Sequence, residues 1–201
     1  MTQIALFIDW QNAYKSAREA FGWRDWPNEY GNFSPYALGR LLAPANERGG
    51  DAELARVFVY RGLPSNRHDP EGYAANRRQS AAWMAEDPEI VIPKLRPLRY
   101  SPNANEPPRE KGIDVQLAID AVEWTLTEQC DVAIIFSHDT DLLPAVEAMI
   151  RLKGPDCVET VSWTSATFQS RLRPRPAVVH HLLDEAAFQQ IERRINYAHG
   201  A

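Results

Sequence analysis

Two kinds of apolar pattern alternate along the chain. Ile4–Ile8 (IALFI), Leu54–Tyr60 (LARVFVY), Asp131–Phe136 (DVAIIF) and Val158–Trp163 (VETVSW) are short, nearly continuous apolar runs rich in β-branched residues. Such runs read as strands buried on both faces, the habit of parallel sheets. Glu89–Leu98 (EIVIPKLRPL) is also strand-like, and Pro93 within it points to an edge position or a bulge. Between these runs lie segments of helical composition: Asn12 to Ala20, Tyr73–Ala85, Gly112–Thr127, Leu142 to Leu152 closed by Gly154, and Val178–Tyr197. Ser34-Pro35 marks a further helix start, with serine as N-cap and proline in the first turn, running to Leu42 before Pro44. Arg171–Pro176 (RLRPRP) interrupts the pattern.

Strands alternating with helices from end to end predict an α/β fold, a mainly parallel sheet flanked by helices on both faces. The 201 residues fit a single domain over 1–201 better than two, and are enough for a core without disulfides or structural zinc. Two segments stand outside the regular pattern. Phe21–Phe33 (FGWRDWPNEYGNF) is a loop loaded with aromatics, and Ser101–Arg109 (SPNANEPPR) is a Pro/Asn-rich segment expected to be mobile. Three uses are open to the aromatic loop: packing on the body, contact with a second subunit in a homodimer, or stacking on unpaired bases.

Bulk composition narrows function mainly by exclusion. A net charge of −5 argues against a broad electrostatic nucleic-acid binder, although clustered carboxylates that hold cations make such a count more negative. No apolar run approaches the length of a membrane span, and Ile4–Ile8 lacks the basic flank of a signal peptide, so a cytoplasmic location is expected. Cys130 and Cys157 fall in no metal-type spacing and read as buried thiols. Basic residues gather in the middle third, where Arg96, Arg99, Arg109 and Lys111 flank the Pro/Asn-rich segment. Arg99, Arg109 and Lys111 are therefore candidates to hold phosphates.

Acids carry the chemistry. In open α/β sheets, ligands bind beyond the carboxyl ends of the strands. Ile4–Ile8 runs into Asp9, and the strand ending at Phe136 runs into Ser137-His138-Asp139-Thr140-Asp141. If both strands are central, these carboxylates meet at one edge. At ~5 Å and an effective dielectric of ~20, each ionised pair costs roughly 3 kcal/mol, a penalty that a divalent cation removes. Asp114, opening the helix after Lys111-Gly112-Ile113, is a third contributor, although an acid in a first turn also suits the helix dipole. Asp120, about 120° further round that helix, is not expected at the same point. One of Asp139 and Asp141 should cap the helix that follows, with Asp141 favoured for the cap and Asp139 for the ligand.

At these residues the chain resembles NYN domains. Phe7-Ile8-Asp9-x-x-Asn12 is similar to their first motif. Lys111-Gly112-Ile113-Asp114-Val115-x-Leu117-Ala118-x-Asp120 is similar to the second, and Phe136-Ser137-His138-Asp139-Thr140-Asp141-Leu142-x-Pro144 to the third. The closest resemblance is to bacterial LabA/DUF88-like members. It implies a PIN-like fold and an Mg²⁺- or Mn²⁺-dependent nuclease acting on single-stranded or structured RNA, most simply an endoribonuclease. It implies metal and catalytic roles for Asp9, Asp114 and Asp139, a supporting role for Asp141 at the same centre, and substrate or water positioning by Asn12 and Ser137. His138 stands where the family commonly has glycine. The alternative is a non-catalytic RNA-binding or adaptor protein that retains the fold. The signature of a HAD phosphatase, two acids at i and i+2 after the first strand, fails here because Asp9 is followed by Trp10 and Gln11.

Overall fold

A computed structural model of the protein describes residues 1–43, 51–103 and 106–198. Six parallel strands form one sheet: β1 (Thr2–Asp9), β2 (Ala52–Leu63), β3 (Val91–Pro97), β4 (Val132–Phe136), β5 (Val158–Trp163) and β6 (His180–Leu183). Among the described residues six α-helices accompany them: α1 (Trp10–Ala20), α2 (Pro35–Leu42), α3 (Pro70–Glu86), α4 (Ile113–Leu126), α5 (Leu143–Lys153) and α6 (Glu185–Ile191). The strand order is β3-β2-β1-β4-β5-β6, every neighbouring pair parallel. The chain therefore winds outward from β1 to one edge, returns through α4, and winds outward from β4 to the other. The reversal lies between β1 and β4, where this architecture opens a crevice for ligands.

The continuous apolar strands are explained by burial on both sides. Ile4, Leu6 and Ile8 of β1 face one layer with Val57, Val59, Ile134 and Phe136, covered by α1, α2, α6 and Trp83 of α3. Ala5 and Phe7 face the other layer with Phe58, Tyr60 and Ile135, covered by α4 and α5. Pro93 lies on β3, an edge strand, where its missing N–H costs no interior sheet bond. Cys130 and Cys157 are both buried and free. Among the described residues no helix is long and apolar enough to cross a membrane.

One expectation is corrected. Val178–Tyr197 is not a single helix. His180–Leu183 pairs with β5 in the register Thr160↔His180 to Trp163↔Leu183, and Asp184 then caps the short α6 through the Ala187 N–H at 2.9 Å. Helical spacing in that segment lost to long-range pairing, which satisfies the outer backbone groups of β5. Beyond Ile191 the chain runs back as an irregular tail. The Arg78 guanidinium holds it by donating to Tyr197 O at 2.9 and 2.7 Å.

The aromatic loop packs onto the body. Trp23 and Phe33 are buried, and Trp23 packs edge-on against Phe188 of α6 with ring centroids 5.1 Å apart. The loop is organised from below by Arg18 of α1, itself buried. Its Nη1 donates to Pro27 O (2.8 Å) and Tyr30 O (2.6 Å), and its Nη2 to Arg24 O (2.9 Å) and Trp26 O (2.6 Å). Gly31 is required where the loop closes over this side chain, because its φ is +100° and a Cβ there would meet Arg18 Cγ at 2.7 Å. Trp26 is the exception, 50% exposed and set edge-on against Tyr30. Trp26→Ala should therefore change the unfolding free energy from urea melts by less than ~1 kcal/mol, as for a surface substitution. A larger loss would show that the ring carries part of the loop's packing.

Candidate active site

The crevice at the strand-order reversal is built by hydrogen bonds between the ends of β1 and β4. Asp9 closes β1 and at once caps α1, so no loop separates strand from helix. Its Oδ1 accepts from the Asn12 N–H at 3.1 Å, and its Oδ2 accepts from Ser137 Oγ at 3.1 Å. The Ser137 hydroxyl in turn accepts from the Asp139 N–H at 3.1 Å. Asn12 Oδ1 accepts from the His138 N–H at 3.1 Å, a second tie between α1 and the loop after β4. Asp9, Asn12, Ser137, His138 and Asp139 thus form one connected group, and its second and fourth bonds span more than a hundred residues, closing only where β1 and β4 pair.

Asp139, not Asp141, caps the short 3-10 turn Thr140–Leu142 that leads into α5. Its carboxylate accepts from the Asp141 N–H at 3.0 Å. The cap expected of Asp141 is therefore reversed: the turn starts two residues earlier than the helix that the sequence pattern suggests, and Asp141 is exposed. Asp114 sits in the first turn of α4, half-buried, after Gly112 at φ +73°. Asp120 is elsewhere, accepting from Tyr60 OH at 2.9 Å and pairing with Lys94 at 3.5 Å.

The electrostatics join these acids. Burial pushes the Asp9 carboxyl up to about 7; the Asn12 and Ser137 hydrogen bonds oppose the shift, and the charges of Asp114 and Glu110 add to it. Burial also raises Asp114, and the charges of Asp139 and Asp141 reinforce it. Among the described residues no Lys, Arg or His forms an ion pair with Asp9, Asp114, Asp139 or Asp141. A buried carboxylate with like-charged neighbours and no cation is a site short of positive charge. All four side chains offer hard oxygens, the donor set that Mg²⁺ and Mn²⁺ favour. The donor chemistry fits such an ion. The spacing is looser: among the described residues no three His, Cys, Asp or Glu side chains are already gathered in a metal-holding group.

His138 is half-buried, its ring edge-on to Phe168 at 5.9 Å, and burial lowers its pKa. Among the described residues the basic candidates form no ion pair with the four acids. Arg99 and Arg109 exchange backbone bonds at 2.8 and 2.9 Å and so close the base of the Pro/Asn-rich segment, while both side chains line a surface cleft of about 340 Å³. Lys111 is exposed. Two residues were not singled out by the sequence. Glu110 reaches the crevice and accepts from the Gly62 N–H at 3.0 Å. Arg61 lies at the end of β2, one residue past Tyr60, the register partner of Asp9. Its position after the strand run LARVFVY was the available signal.

The fold and this edge define a PIN-like α/β protein. The NYN domain profile matches residues 3–154, and the chain belongs to the NYN domain family. A crystal structure of a protein of unknown function from Vibrio parahaemolyticus is similar at a TM-score of 0.56 and 20% identity, covering 92% of this chain and 93% of that one. No curated protein matches the chain.

Proposed function

We propose that the protein is a divalent-metal-dependent endoribonuclease whose Asp9, Asp114, Asp139 and Asp141 hold Mg²⁺ or Mn²⁺. The observation that carries the reading is Asp9, a buried carboxyl at the strand-order reversal, raised to about 7 and facing further acids without a cation. A cation held there supplies Lewis-acid activation of a water and of the phosphoryl oxygen. The chain's own groups do the rest. The Asn12 and Ser137 bonds fix the two Asp9 oxygens in direction, so Asp9 needs no reorganisation when it ionises to bind. The Asp139 N–H donates to the same serine, and its carboxylate is fixed by accepting from the Asp141 N–H. The Nδ2 of Asn12, whose Oδ1 is occupied by His138, is a donor for a phosphate oxygen or a water.

The fragmentary grouping of the acids favours a second reading, in which the same edge binds RNA without cleaving it. Hydrolysis of an end-labelled RNA in Mg²⁺, Mn²⁺ or EDTA separates the two. Asp139→Asn should lower the rate by about a hundredfold, the scale of losing one charge-stabilising group at a reacting centre, with the thermal melt retained. Undiminished hydrolysis in EDTA overturns the metal mechanism. Binding without hydrolysis in any cation establishes the second reading.

A further inference from the structure

Two clefts meet at Arg61 and Gln11, directly beside the acidic edge. The larger, about 450 Å³, is bordered by Lys15, Asn76, Arg109 and Glu110. The smaller, about 290 Å³, is bordered by Tyr14, Asn28, Glu29, Gln79 and Tyr197 of the returning tail. Arg61 and Gln11 line both.

Arg61 is set up for an anion. It is half-buried at the carboxyl end of β2, its Nη1 donates to Gln79 Oε1, and among the described residues no carboxylate pairs with it. Burial lowers its pKa to about 10 against the opposing pull of Glu110 and Tyr14, so it stays charged at neutral pH and is only partly compensated within the cleft. An unpaired guanidinium fork in a cleft matches a phosphate. Lys15 and Arg109 add positive charge to the same cleft, and the opposing Glu110 is engaged with the Gly62 N–H. From strand spacing and rise, the Arg61 backbone stands roughly 6 Å from that of Asp9, about one nucleotide step along a strand.

The smaller cleft has the chemistry of a base site. Tyr14 and Tyr197 line it, the Tyr14 ring braced by Trp10 and Arg18, and Asn28 and Gln11 bring amides beside Gln79, whose own amide is engaged by Arg61 and Asn32. Glu29 Oε2 at its wall, and Asn76 Oδ1 at the wall of the larger cleft, are buried acceptors with no donor. Each leaves a hydrogen bond unmade that a ligand N–H or O–H would complete after a small side-chain rotation.

We propose that this pair of clefts seats the RNA nucleotide next to the scissile one, its phosphate on Arg61 and Lys15 and its base in the recess between Tyr14 and Tyr197. The assignment deepens the nuclease reading and rests on it for the identity of the strand. It assigns the returning C-terminal tail to substrate contact, and makes Arg61, rather than Arg99 or Lys111, the principal phosphate anchor.

The test is binding in EDTA, where hydrolysis plays no part. Fluorescence anisotropy with a labelled single-stranded RNA of about 12 nucleotides is read over a salt series. Arg61→Gln should weaken Kd about tenfold, and Lys15→Gln should lower the salt slope by about one phosphate contact. Arg61→Lys should recover only part of the affinity, because the ammonium lacks the fork. A nucleoside 5′-monophosphate should displace the RNA about tenfold better than ribose 5-phosphate, since only the nucleotide carries a base to seat in the recess. A folded Arg61→Gln with unchanged Kd overturns the phosphate site. If that variant melts abnormally, the exposed Lys15 decides, and an unchanged slope overturns it. Equal displacement by the two competitors overturns the base recess. Loss of hydrolysis in Mn²⁺ with these binding effects intact would defeat the nuclease reading alone.

Discussion

Replacing Asp9 with asparagine should stabilise the metal-free protein by roughly 4 kcal/mol at pH 8, the free-energy equivalent of moving a carboxyl from 3.8 to about 7. Asp9 is raised in the folded state. Below pH 3.8 it is protonated in both states and costs nothing. As pH rises through 7 the folded protein must ionise a buried group that the unfolded chain ionised at much lower pH, and stability is lost. The gain from Asp9→Asn should therefore be absent near pH 4 and complete above pH 7. Asparagine fits the site, since its carbonyl still accepts from the Asn12 N–H and its amide can donate to Ser137 Oγ. Urea melts in EDTA at several pH values measure this. A difference that does not vary with pH would refute the buried-charge account. Mn²⁺ should raise the wild-type midpoint at pH 8 and leave the variant unmoved, by mass action on the folded state.

Arg18→Ala is expected to act in the opposite direction, with a loss of about 4 kcal/mol, since four carbonyls lose a charged donor and each orphaned buried acceptor costs ~1 kcal/mol or more. For a chain of this size that corresponds to a fall in Tm of roughly 10 °C. Arg18→Lys should recover little, because one ammonium cannot span the carbonyls of Arg24, Trp26, Pro27 and Tyr30. The loss should be accompanied by faster proteolytic cleavage within residues 21–33. A fall below ~1 kcal/mol would mean that the loop is held by Trp23 and Phe33 alone.

These two residues differ sharply in how far the sequence exposed them. Asp9 follows an uninterrupted apolar strand, and its isolation there is a local signal. The same holds for α2, where Ser34 and Pro35 set the start, and for β5, whose run from Val158 to Trp163 is observed with the same bounds. Arg18 gave no such sign. It is one basic residue on an amphipathic helix, and its role depends on carbonyls turned inward by a loop six to twelve residues away. The edge strand β6 was hidden for a related reason. Four residues, His180–Leu183, become a strand only because β5 has an unpaired side, a fact no local spacing records. The exchange of roles between Asp139 and Asp141 was decided by a single 3-10 turn, finer than apolar periodicity can resolve. Arg61 looked like one more charge in a basic middle third. Only the register that sets Tyr60 beside Asp9 brings it to the crevice.

The strand order also has a bearing on synthesis. β1 leaves the ribosome well before β4, its neighbour in the sheet, and Asp9 and Ser137 are 128 residues apart along the chain. Until β4 emerges, β1 can pair on one side only, with β2, and presents an open apolar edge on the other. That interval exposes the nascent chain to mispairing, and it favours protection by a chaperone or a slow closing step governed by long-range contacts. The same delay is a safeguard. Asp139 is translated late and joins Asp9 through Ser137 only when β4 docks, so a chain broken off before that strand carries an incomplete acidic edge.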